Sequence, residues 1–118
     1  MEDRKFKVVN ASGEFDGKTV FALTKSPSIR TMKDCVDELV EVDKWLVYED
    51  EDKKDPDKVN TILSVMDKDG SVRATNSNTF MNMFFDITSI MGNNGFTIKV
   101  VSGTSKAGRN FITCDMPL

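Results

Sequence analysis

A single stretch with helical periodicity, Asn76 to Gly92, interrupts a chain otherwise made of short β-prone runs and turn signals. That order restricts the fold more than any other feature. Phe80, Phe84, Ile87 and Met91 recur at helical spacing, Met83, Phe85 and Ile90 widen the apolar face, and Thr79, Asn82, Asp86 and Ser89 form a narrow polar stripe. Asn76, Ser77 or Asn78 can cap the start, and Gly92 to Gly95 stops the helix. So wide an apolar arc predicts a largely covered helix. Met81 and Phe85 extend it beyond what one barrel covers, which predicts at least a weak homo-oligomer.

The remaining segments read as strands. FKVVNA, ending at Ala11, is the first, with Lys5 at its edge; TVFALT, Thr19 to Thr24, is the next, closed by Pro27. Ile29 to Cys35 has no sustained pattern. Glu38 to Tyr48 alternates, with Val40, Val42, Leu46 and Tyr48 on one face and Glu41, Asp43 and Trp45 on the other. Val59 to Met66 and Ser71 to Thr75 flank Asp67-Lys68-Asp69-Gly70, a hairpin signal. Phe96 to Val101 and Arg109 to Cys114 form a closing hairpin. A mainly β chain with one helix before its last two strands predicts a five-stranded Greek-key barrel of the OB type. The alternatives are a β-sandwich or a small α+β sheet with one packed helix.

A length of 118 residues predicts one domain spanning 1–118. Histidine is absent, which removes the imidazole base of Ser-His and Cys-His hydrolases and the commonest zinc ligand. The two cysteines, Cys35 and Cys114, lie too far apart for a CxxC site and read as free thiols in a reducing compartment. No apolar run approaches the ~18 residues of a membrane span, and the opening MEDRKFKVVN lacks the apolar core of a signal peptide.

The net charge of −3 argues against a polyanion partner until its distribution is considered. Six of the 19 acidic and three of the 16 basic residues fall between Glu49 and Lys58, so the rest of the chain is balanced at 13 of each. That charged stretch, 49–58, reads as a solvated loop between strands.

Three apparent motifs fail on spacing or surroundings. Asp67 to Gly70 resembles a calcium loop, but its glycine is at position four and Asn78 occupies position twelve. Gly103 to Gly108 has P-loop composition, yet Lys106 precedes the second glycine and a β-prone run follows. The carboxylates lack the apolar surroundings that would raise a pKa toward neutrality, so no catalytic acid, metal or cofactor is predicted and the chain is not read as an enzyme.

Aromatic and basic residues on shared faces point elsewhere. Trp45 falls on the polar side of its strand, where an exposed indole would suit base stacking, unless a bulge turns it inward or both faces are covered. Phe111 shares a face with Arg109 and Thr113, and the turn before it carries Lys106. Arg73, Lys25 and Arg30 are further candidates for the same groove.

Four segments together resemble the small single-stranded DNA-binding proteins of tailed bacteriophages, lactococcal ones especially. They are FDGKTVFALT at Phe15 to Thr24, WLVY at Trp45 to Tyr48, ATNSNTF at Ala74 to Phe80 and VSGTSKAGR at Val101 to Arg109. The resemblance implies an OB-like barrel that coats single-stranded DNA in phage replication or recombination, in the host cytoplasm. It also implies phage or host replication and recombination proteins as further partners. The residues it marks for DNA contact are Trp45, Arg73, Lys106, Arg109 and Phe111, with Lys25 and Arg30. Bacterial relatives carry a long acidic-tipped tail, whereas Cys114 to Leu118 follows the last strand directly, so recruitment through such a tail is not expected. Two other readings compete. One is an acidic inhibitor or DNA mimic presenting Glu49 to Asp57 to a host protein, and the other is a virion assembly protein.

Overall fold

The computed structural model describes residues 6–52, 54–55 and 57–117. Lys5, Lys53, Leu118 and the first half of the opening segment MEDRKFKVVN lie outside them. The chain forms β1 (Lys7–Ala11), α1 (Gly17–Thr24), β2 (Arg30–Thr31), a 3-10 turn (Met32–Cys35), β3 (Leu39–Glu51), β4 (Val59–Asp67), β5 (Val72–Thr75), α2 (Asn78–Met91), β6 (Phe96–Thr104) and β7 (Asn110–Asp115). All strands belong to one curled mixed sheet, ordered β2-β5-β4-β3-β6-β7 with β1 beside β3. Five of them, β3, β4, β5, β6 and β7, with α2 between the third and fourth, reproduce the expected OB-like order.

The long strand β3 organises the sheet. Its first part, Leu39 to Val42, pairs with β6, whereas Leu46 to Glu49 pairs with β1 on that side. A bulge between Val42 and Lys44 marks the change. Bulges bend a strand and increase its twist, so the two halves of β3 serve different parts of a curled sheet.

The bulge also resets side-chain phase. Val40 and Val42 before it, and Trp45 and Val47 after it, join a core with Leu63, Val65, Phe80, Phe84, Ile98 and Val100. Leu46 and Tyr48 point into a second cluster with Leu23 and Val72. Both faces of β3 are therefore covered, and simple alternation fails.

The segment Thr19 to Thr24, expected as a strand, is helical. Asp16 caps it by accepting a hydrogen bond from Thr19 N at 2.9 Å. Leu23 is buried and Val20 packs against the second cluster, a spacing of three that suits a short helix lying on the sheet. Phe21 on the opposite side stays 56% exposed. The expected acidic loop is also shorter, because β3 continues to Glu51 and carries Glu49 and Asp50 into the sheet.

Helix α2 lies where expected, but Met81 is buried and Phe85 packs against the core, so the two residues expected to be left for a neighbouring subunit are covered, while Met91, expected on the packed face, is exposed. Ser77 is the cap, accepting from Phe80 N at 3.2 Å, and Phe80, Met81, Phe84 and Ile87 are buried. Met83 and Met91 remain exposed, and Ile90 is 82% exposed.

Candidate nucleic-acid interface

The sheet does not close on itself. Among the described residues β5 and β7 share no ladder, since β5 pairs with β4 and β2 while β7 pairs with β6. An open groove of about 970 Å³ occupies this seam. One wall comes from Thr31, Lys33, Ala74 and Thr75 with Asn76 and Ser77, and the other from Ser102 to Thr104 and Asn110 to Ile112. Asn60 and Ile62 of β4, with Tyr48 of the neighbouring β3, extend it where Val59 to Ile62 lie beyond the ladder with β5.

Phe111 stands opposite Gly103 in the β6–β7 register. Its ring lies so close that a Cβ on residue 103 would meet Phe111 Cζ at 2.6 Å. Only glycine permits that approach, and it lays a partly exposed aromatic face in the groove wall. Lys106 and Arg109 are exposed in the turn joining these strands. Ser105 N donates to Arg109 O at 2.8 Å, and Gly108 supplies the positive φ of 80° that the turn requires.

The other candidate residues are placed differently. Trp45 is 2% exposed. Its Nε1 donates to Asn93 O at 2.8 Å, and its ring meets Phe84 and Phe85 edge-on, each at 5.6 Å between centroids. The bulge in β3 turns it into the core, so the expected exposed indole is corrected.

Arg73 is 7% exposed. Its Nη2 donates to Glu38 Oε1 at 2.8 Å, and its Nη1 lies 3.7 Å from Asp67 Oδ2. Arg30, in register with Arg73 across the parallel β2–β5 pair, grips both oxygens of Glu38 at 2.9 and 2.8 Å. Hydrogen bonds from Arg30 and then Arg73 hold the Glu38 carboxyl down at about 2. These arginines fasten β2 and β5 to the start of β3. Arg73 is a structural residue, whereas Arg30 keeps about half of its side chain exposed. Lys25 pairs with Asp50 and its ammonium lies 4.9 Å from the Phe6 ring centroid, anchoring α1 to the sheet.

A second cleft of about 630 Å³ adjoins the groove through Tyr48, Asn60 and Ile62. Asp50, Glu51 and Asp52 line it with Lys25 and Lys54. Asp52 accepts from Lys54 N at 2.8 Å and Asn60 Nδ2 at 3.2 Å, contacts that lower its pKa, the former most. The acidic segment thus borders the groove at this end. Among the described residues no cluster of three His, Cys, Asp or Glu could hold a metal.

Lys33, Asn60, Asn76 and Asn110 are groove residues that the sequence did not single out as such. Lys33 lies in the stretch without a pattern. Asn76 was readable only as one of three possible caps; with Ser77 in that role, its side chain has no cap contact to make. Nothing local marks Asn60 or Asn110.

Comparison with curated proteins and with solved structures returns no match. The family described as phage single-stranded DNA-binding protein matches residues 15–117, which takes in every element from α1 to β7. Matched over nearly its whole length, the chain belongs to the phage single-stranded DNA-binding protein family.

Proposed function

We propose that the chain binds single-stranded DNA along the seam between β5 and the β6–β7 hairpin, without a fixed sequence requirement, in phage DNA replication or recombination. The observation that carries this reading is Phe111, its ring packed close against Gly103 in the wall of an open groove. The family match supports the same reading. Phe111 stacks on a base, a contact worth about 1–3 kcal/mol and open to any base because every base has a π-face. Lys33 in the groove, with Lys106 and Arg109 at the turn, takes backbone phosphates, and Arg30 contributes from beside its carboxylate partner. Trp45 and Arg73 act through the fold, and Lys25 is committed to Asp50.

This role places the protein in the cytoplasm of an infected host, of lactococcal type by the sequence likeness, among phage or host replication proteins. No described helix is long and apolar enough to cross a membrane. Self-association is part of the proposal, through the exposed Met83 and Ile90 in place of Met81 and Phe85, which the fold covers.

Fluorescence anisotropy of labelled oligothymidine across a salt series tests it. Four phosphate contacts predict a log-log slope of about −3, from roughly −0.7 per contact on single strands. Phe111→Ala weakens binding about 5- to 150-fold, the equivalent of 1–3 kcal/mol. Flat anisotropy at low salt refutes the proposal.

A further inference from the structure

The groove has an unusual balance of polar groups for a polyanion site. Among the described residues Lys33 is its one charged lining residue, whereas three carboxamides line it, Asn60, Asn76 and Asn110, together with a row of hydroxyls. Two of the amides have hydrogen-bond partners, and the Asp52 carboxylate, which can only accept, orients that of Asn60. Thr104 Oγ1 donates to Asn110 Oδ1 at 3.3 Å, which leaves the amino group of this groove-lining residue available as a donor. Asn60 Nδ2 donates to Asp52 Oδ2 at 3.2 Å, which leaves the Asn60 carbonyl oxygen as an acceptor. Asn76 has no hydrogen bond from its side chain among the described residues and can turn either way.

An oriented acceptor has no use for a phosphate, which offers only acceptors of its own. In the cleft beyond Asn60 the three carboxylates Asp50, Glu51 and Asp52 outnumber Lys25 and Lys54, so that end carries net negative charge and disfavours the backbone. Bases carry both kinds of group on their edges, N–H donors beside carbonyl or ring-nitrogen acceptors, and are uncharged.

Resting on the DNA-binding role proposed above, we infer that the groove takes up bases with their Watson–Crick edges inward, hydrogen-bonded to the Asn110 amino group and the Asn60 carbonyl oxygen. The phosphates then face outward, toward Lys106 and Arg109. The ligand is a single strand with unpaired, unblocked base edges, and a strand whose edges are occupied is excluded even where its ring faces remain open.

The test compares oligothymidine with the same oligomer methylated at N3 of every thymine. Methylation removes the edge donor and keeps the sugar, phosphates and ring face. The expected result is at least tenfold weaker binding of the methylated strand to the unaltered protein at one salt concentration. Asn60→Ala with Asn110→Ala brings the ratio close to one by weakening only the unmethylated strand. Equal, salt-sensitive affinity for both strands overturns the edge-inward arrangement and leaves the groove proposal standing. A preference that survives the double substitution also overturns it. Failure of both strands to bind removes the DNA-binding role itself, and this inference with it.

Discussion

Replacing Gly103 by alanine separates the geometry of the groove wall from the stability of the fold. A Cβ there would lie 2.6, 3.0 and 3.2 Å from Cζ, Cε2 and Cε1 of Phe111. Carbon atoms settle at about 3.5–4.0 Å, so the ring must retreat by about 1 Å. The ring is the free end of a side chain in a partly exposed position, and moving it costs the fold little. Gly103 does not have a positive φ, so alanine fits its backbone. Glycine inside a strand is about 0.5–1 kcal/mol worse than alanine, which offsets the ring's displacement.

The expected change in Tm is therefore within about 4 °C in either direction, the equivalent of about 1 kcal/mol in a chain of this size. DNA affinity behaves differently, because the displaced ring loses much of a stack worth about 1–3 kcal/mol. A thermal melt paired with anisotropy on oligothymidine measures both quantities. If Gly103 acts only through Phe111, adding Gly103→Ala to a Phe111→Ala protein changes nothing further, the signature of coupled residues in a double-mutant cycle. Wild-type affinity for the alanine variant refutes the argument, as does an equal loss in the Phe111→Ala background.

Four other outcomes follow from the structure. Trp45 is the sole tryptophan and is buried, so its emission is blue-shifted, resists acrylamide quenching and is not quenched by stacking when DNA binds; Trp45→Ala costs about 3–5 kcal/mol in a denaturant melt. Arg73→Ala lowers stability by about 2 kcal/mol through lost hydrogen bonds and packing, measurable by urea unfolding, while the salt slope of DNA binding stays unchanged. Glu38 has a folded pKa of about 2, below its ordinary 4.5, so its contribution is present above pH 4.5 and is lost as pH falls toward 2; acid unfolding of Glu38→Gln lacks that part of the transition. Burial, aided by Asp115, pushes the Cys114 thiol up to about 12, so it stays protonated in the fold and resists iodoacetamide at pH 8; its contribution to stability is lost as pH rises from 9 toward 12, where the unfolded thiol ionises first.

The parts of the fold legible in the sequence are those where one local rule acts alone. Phe80, Phe84 and Ile87 follow the helical period because α2 lies against a single core, and the Asp67 to Gly70 turn follows turn chemistry. Trp45 was ambiguous because a bulge and a doubly covered strand are tertiary facts that alternation cannot express. TVFALT reads as a strand by composition, since valine, phenylalanine and threonine favour sheets, but the Asp16 cap and the place of Leu23 on the sheet decide for a helix.

The site divides in the same way. Phe111, Lys106 and Arg109 stood out because they are adjacent on one hairpin. Arg73 and Arg30 stood out as charges, and their distant partner Glu38 became visible only once β2 paired with β5. Asn60, Asn76 and Asn110 are brought to the groove by three separate elements, and no spacing in the chain announces that meeting.

The most direct test of the central claim is ultraviolet crosslinking of the protein to a 5-iodouracil-substituted single strand, with the attached peptides identified by mass spectrometry. The groove assignment predicts crosslinks concentrated at Phe111 and at the walls formed by residues 74–77 and 102–112. Crosslinks confined to the exposed face of α2 around Met83 and Ile90, or to the acidic segment 49–58, contradict it.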